Sequence, residues 1–276
     1  MKKYTIGLFL FLLFACMLTQ AQRNRKLKKV MELKVSGEDL NGASVAWNPL
    51  TKKYYVAMAG GDKSFLGVYD AKGKVKSPAD LKTGFDVRGL WYNGRTKTLQ
   101  ANGYKDFGWV EYTLDSNGIP SGLTVLHKGR NQPNDQSVGV YDSTHNMLYF
   151  TLENTVVSYD ITSGHQLDFH IELVAEEEHE KKKEKEHKAG AGEEEEEEGG
   201  DFNNISLIYT GIKGREFGFV NYVERRVVLF SRNTGKNVAE LFIPKEVPVY
   251  SLLNFSYANG LYWFYNKATK KWMGYK

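Results

Sequence analysis

A short turn recurs along the chain, as VYDAKGK at 68–74, TLDSNG at 113–118, SYDITSG at 158–164 and FSRNTGK at 230–236. Its glycines, Gly73, Gly118, Gly164 and Gly235, are 45, 46 and 71 residues apart, and the long interval contains a 25-residue low-complexity segment whose removal returns it to 46. A fixed period restricts the chain to architectures that stack one small unit, because each unit needs neighbours to bury its apolar side.

Inside the first period, Ser44–Asn48 and Tyr54–Met58 read as short strands around a PLTKK turn, and Phe65–Tyr69 as a third before the DAKGK turn leads into a fourth. The later periods repeat this order as GLWYN, TLQANGY and GWVEYTL, then VGVYD, MLYFTL and TVVSYDI, then ISLIYT, EFGFVNY and RRVVLFS, and finally SLLNFSY, GLYWFY and KKWMGYK. Aromatic and β-branched runs between Gly, Asn and Asp turns predict antiparallel strands. Four strands per period is a propeller blade. The last period ends at Lys276 after its third strand, and Val30–Val35 is a spare strand at the other end. The expected fold is therefore all-β: a five-bladed propeller of four-stranded antiparallel blades, with the N-terminal strand completing the last one.

The grammar of strand, turn, LYV-type strand, loop, VYD-type strand and TGK turn resembles the YVTN and WD-repeat class of β-propellers. That resemblance implies an architecture and little about function, since propellers host enzymes, lectins and scaffolds alike.

The N-terminus places Lys2 and Lys3 before an apolar run from Ile6 to Leu18, followed by Thr19-Gln20-Ala21. This is the pattern of a signal peptide spanning residues 1–21, too short to serve as a membrane span. A periplasmic or extracellular protein follows, with lipid anchoring at Cys16 as the alternative. Cleavage after Ala21 removes the only cysteine, and with it any disulfide or thiolate metal site. Residues 22–276 then form a single domain interrupted by an acidic segment at 176–200.

That segment holds 12 Glu and 5 Lys and no large apolar residue, so the expectation is a solvated, disordered loop. Shielding of a basic face and partner or cation binding are the alternatives, and the spaced His179 and His187 do not preorganise a metal site. Of the chain's 37 Lys and Arg and 33 Asp and Glu, the segment takes 5 and 12 and the leader two lysines, which leaves 30 against 21, a body of net charge +9. Export and the lack of a clustered Arg and Lys motif argue against nucleic acid. A polyanionic glycan or an anionic membrane surface fits the charge better.

In propellers of the class resembled, ligands commonly sit where loops enter the inner strands. Carried over, that face holds Asn41 and Ser44, Asp86 and Arg88, Gln136 and Ser137, Asn203 and Asn204, and Tyr250. The same residues serve equally to solvate the channel or to bond loop backbone. Asp70 and Asp115 precede their turn glycines by three residues and Asp160 by four, and all three are read as turn caps. No HExxH, GxSxG, phosphate-binding loop or EF-hand motif is present, and no cofactor or metal is expected. The sequence points to a monomeric, noncatalytic module that binds a protein or glycan at the channel. The alternatives are a hydrolase or lactonase built on Asp86 and channel carboxylates, or a structural partner in a cell-envelope assembly.

Overall fold

A computed structural model describes residues 24–37, 41–174, 206–251 and 253–276. The signal-peptide reading, Cys16, the acidic segment, Asn203 and Asn204 lie outside the described residues.

Blade one consists of β3 (Asn41–Asn48), β4 (Lys53–Ala59) and β5 (Leu66–Asp70), and blade two of β6 (Val87–Asn93), β7 (Thr98–Gly103), β8 (Trp109–Leu114) and β9 (Pro120–His127). Blade three is β10 (Val140–Asp142), β11 (Met147–Leu152), β12 (Thr155–Asp160) and β13 (Gln166–Glu172). Blade four is β14 (Ile208–Tyr209), β15 (Phe217–Asn221), β16 (Arg226–Phe230) and β17 (Asn237–Phe242), and blade five is β18 (Phe255–Ala258), β19 (Leu261–Asn266) and β20 (Lys271–Tyr275). Each inner strand touches the inner strand of the next blade, β3 to β6, β10, β14, β18 and back to β3. The ring is closed.

Closure is completed by β2 (Lys29–Lys34), which pairs antiparallel with β20 and forms the outer strand of blade five, as the spare N-terminal segment predicts. Two blades depart from four regular strands. In blade one the outer position is held by isolated bridges from Phe65 to Lys82 and Tyr69 to Val75. Blade four gains a fifth, β1 (Asn24–Lys26), laid parallel along β17. The segment from Asn24 to Lys34 thus runs along the edge of one blade and into the next.

The core is divided among the blade interfaces. Tyr55 and Val68 meet Val87 and Leu99 between blades one and two; Trp109 meets Phe150 and Tyr159 between two and three. Tyr149 meets Phe217 between three and four, Leu229 meets Phe264 between four and five, and Trp263 and Trp272 meet Tyr54 between five and one. Large, flat side chains suit faces that must fit together edge to face and stacked.

The turn aspartates do what their spacing predicts. Asp70 Oδ1 accepts from the N–H groups of Lys72 and Lys74, Asp115 Oδ1 from Asn117 and Ile119, and Asp160 Oδ1 from Thr162 and Ser163. A second turn recurs on the inner hairpins, where Asn48, Asn93 and Asp142 each accept from the N–H two residues on at 2.9 Å. The fourth residue after each of these, Lys52, Lys97 and Asn146, has positive φ. Such Asx turns close a tight hairpin with one side-chain oxygen.

Candidate functional site

The inner strands surround a cavity of about 500 Å³. Its wall begins within or at the start of those strands, at Ser44, Leu90, Val138, Leu207 and Phe255, and continues to the hairpins that follow them, at Leu50, Gly94, Ser143, Gly211 and Asn259. The cavity therefore opens toward these hairpins, on the face opposite the loops that enter the inner strands.

Aligning the ends of the inner strands shows what shapes the mouth. Trp47, Tyr92, Tyr141, Tyr209 and Tyr257 occupy the same place in blades one to five, immediately before the residue that leads into the hairpin. All five line the cavity and are half-buried. They form an aromatic collar with one member from each blade. The signal is legible in the repeats WN, YN, YD, YT and YA, but it emerges only once the five inner strands are aligned on their hairpins.

Bonds between blades hold the collar. The hydroxyl of Tyr92 bonds Asn48, that of Tyr141 lies 3.3 Å from Asn93 Oδ1, and that of Tyr209 bonds Asp142, in each case the Asx residue ending the preceding inner strand. Burial pushes the phenols of Tyr92, Tyr141, Tyr209 and Tyr257 above their ordinary range, so they stay neutral. Trp91 also lines the wall, its indole N–H donating to Gln100 Oε1 at 3.1 Å. Among the described residues, the cavity wall contains no Asp, Glu, His, Lys, Arg or Cys.

Asp142 stands behind the wall. Its side chain is fully buried, with Oδ2 accepting from His145 Nδ1 at 2.6 Å and from the Tyr149 hydroxyl at 3.2 Å. Burial alone would raise its carboxyl, but the bonds from His145, Tyr209 and the turn outweigh it and hold the group below the usual carboxylate range.

The residues expected from sequence divide between two places. Ser44 lines the cavity, its hydroxyl 3.2 Å from that of Ser256. Asp86, Arg88 and Gln136 come together on the opposite face. Arg88 Nη1 donates to Asp86 Oδ1 at 2.6 Å, Nε donates to Gln136 Oε1 at 2.9 Å, and the guanidinium stacks 4.4 Å from the Tyr104 ring centroid. Asp86 Oδ1 also accepts from Gly60 N–H, so the cluster ties loops of blades one, two and three together. Ser137 Oγ accepts from Asn134 N–H at 3.0 Å within the same loop. Asn41 begins β3, paired with Ala59, and Tyr250 lies under the Lys267 ammonium at 4.5 Å. Neither joins the Arg88 cluster by a described bond.

Between the two places the inner strands of blades two and three are tied together. Asn102 Oδ1 accepts from Gly89 N–H and Gly139 N–H, both at 2.9 Å, while Nδ2 donates to Gln132 Oε1 and Ser137 O. A Cβ on Gly89 would fall 2.3 Å from the Gly139 carbonyl oxygen, so the backbones of blades two and three approach as only glycine permits. Among the described residues, no group of three His, Cys, Asp or Glu could hold a metal. No helix among them is long and apolar enough to cross a membrane.

No known protein family and no curated protein matches the sequence. Solved structures do. The crystal structure of Myxococcus xanthus glutaminyl cyclase superposes with a TM-score of 0.56 at 8% identity, covering 93% of this chain and 98% of that one. A nidogen/laminin complex gives 0.41 at 11% identity, covering 82% and 73%. The first likeness runs nearly end to end on both chains, and at that identity what it shows is the shared fold, a five-bladed β-propeller.

Proposed function

We propose that this propeller is an exported, noncatalytic binding module whose ligand occupies the aromatic-collared cavity. The observation that carries the reading is the composition of the wall: five register-equivalent aromatics around a cavity of about 500 Å³, with no acid or base among its described residues besides neutral phenols. That volume suits a small organic ligand or one or two units of a chain. The collar offers ring faces, and Ser143 and the Asn259 amide oxygen offer hydrogen-bonding groups at the mouth.

Catalysis would require more. Cyclising an N-terminal glutamine, the activity in the name of the Myxococcus xanthus protein, moves a proton to departing ammonia, and a hydrolase or lactonase must activate water. Among the described residues the wall supplies no carboxylate or imidazole for either task, and Asp86 is engaged by Arg88 and Gly60 away from the cavity.

Trp47 and Trp91 make the cavity its own reporter. Ligands that bind there are expected to change tryptophan fluorescence, to be recovered chemically unchanged, and to lose affinity at least tenfold in Trp47→Leu. A ligand consumed during incubation, or binding abolished by Arg88→Met and indifferent to Trp47→Leu, would overturn the assignment.

A further inference from the structure

We infer that the ligand of the collar is an acidic oligosaccharide, with sugar rings in the cavity and carboxylate or sulfate groups on a basic crown around its mouth. This rests on the cavity being the binding site. The hairpins that follow the inner strands carry Lys52, Lys53, Arg95, Lys97, Lys213 and Arg215, and blade three adds His145. The acidic residues there, Asp142 and Glu216, are both buried; Asp142 bonds His145, and the oxygens of Glu216 accept from Gly214 N–H at 2.7 Å and Arg232 N–H at 2.9 Å.

Arg95 stands close enough to act on the collar itself. Arg95 of blade two favours ionisation of the buried Tyr141 phenol and reaches toward the Ser143 and Thr144 carbonyls of blade three at 3.5 and 3.4 Å. Arg232 acts in the same sense on Tyr209, and Arg25 of β1 on Tyr257. The opposite face shows no such bias. There Asp62 adjoins Lys63, Lys105 adjoins Asp106, Glu224 adjoins Arg225, and Arg88 and Arg130 pair with Asp86 and Asp135. The hairpins at the mouth thus carry an excess of positive charge.

A ligand matching both parts has an uncharged, ring-shaped body and anionic substituents that remain outside. Guanidinium groups take carboxylates and sulfates in two-point contacts, while ring faces stack on the collar. An acyl chain would fill the cavity but make no use of the basic hairpins around it, whereas an acidic sugar chain engages both. The export signal read in residues 1–21 favours a glycan over a nucleic acid, the other polyanion with stacking rings.

The test is titration of the mature chain with a panel of uronate and sulfated oligosaccharides, with the methyl-esterified, uncharged form of each uronate, and with a single-stranded oligonucleotide. An acidic oligosaccharide is expected to bind with tryptophan quenching and to weaken at least tenfold on esterification. Similar losses are expected between 50 and 500 mM salt, in Arg95→Gln with Lys97→Gln, and in Trp47→Leu. Equal binding of acid and ester, insensitive to the arginine and lysine changes, would overturn the crown and keep the cavity. Acid-form binding that ignores Trp47→Leu would remove the cavity assignment as well. Tighter binding of the oligonucleotide, or no acidic glycan bound at all, would overturn this inference.

Discussion

His145 Nδ1 lies 2.6 Å from Asp142 Oδ2, and the carboxylate it meets is fully buried at the base of an inner hairpin. The equivalent positions in blades one and two are Asn48 and Asn93, which close the same turn with a neutral amide. The turn needs one oxygen, and blade three uses the second to gather His145, Tyr149 and Tyr209.

Asp142→Asn is accordingly expected to keep the hairpin but lose the charge-assisted bond, costing about 1–3 kcal/mol at pH 7 by urea unfolding. The folded-state carboxyl is depressed, so its contribution is complete above the unfolded value of about pH 4 and is lost as pH falls through the lower folded one. Stability of the parent protein should fall below about pH 4, and the gap to the variant should narrow there. Asp70 and Asp160 are also held low by turn bonds, led by the Lys74 and Ser163 N–H groups, and add to the acid loss in both proteins. A gap that stays constant down to pH 2 would show that Asp142 is not held as a carboxylate.

Asn102→Ala should cost about 2–6 kcal/mol, because the N–H groups of Gly89 and Gly139 would be buried without an acceptor. Gly89→Ala should be worse still, since the atom its Cβ meets is backbone and cannot turn aside. Thermal unfolding of the two variants ranks them directly.

Ring closure by β2 should depend on burial and hardly on charge. Leu33 is fully buried between blades five and one, and Leu33→Ala is expected to cost about 2–5 kcal/mol. Bonds to Lys271 and then Lys29 pull the carboxyl of Glu32 down to about 2, yet this ion pair is well exposed, so Glu32→Gln should change stability by less than about 1 kcal/mol. Denaturation midpoints of both variants at one protein concentration decide the comparison.

Arg88→Met leaves Asp86 with Gly60 as its remaining described partner and should destabilise by about 3 kcal/mol. Ligand affinity measured through Trp47 and Trp91 should nevertheless remain within twofold, because the Arg88 cluster is outside the cavity wall. A large loss of affinity in the folded variant would move the site to the other face.

The blades were legible because their turns demand particular chemistry. Asp at the start of the turn and Gly at the positive φ of Gly73, Gly118 and Gly164 recur where the third strand reverses into the fourth in blades one to three, and Ser231 and Gly235 do so in blade four. Edge additions carry no such demand, and NRK at β1 has neither periodicity nor a turn residue to announce that it pairs with blade four. The cavity was partly hidden for a different reason. Arg88 and Asp86 stand out in a sequence because they are charged, whereas Tyr209 or Tyr257 reads as ordinary packing until its counterparts in the other blades are set beside it. The close approach of blades two and three at Gly89 and Gly139 is another feature that period and composition do not record.

The strap formed by β1 and β2 also sets a timetable. Glu32 and Lys271 meet across 239 residues of sequence, so β1 finds its partner once blade four is made, but β2 must wait until the last blade has been synthesised. Until then the outer edge of blade five lies open and Leu33 lacks the Trp263, Tyr265 and Trp272 side of its core. A chain released early, or trimmed past Lys34, would keep four blades' worth of correct sequence and still be unable to complete its circle.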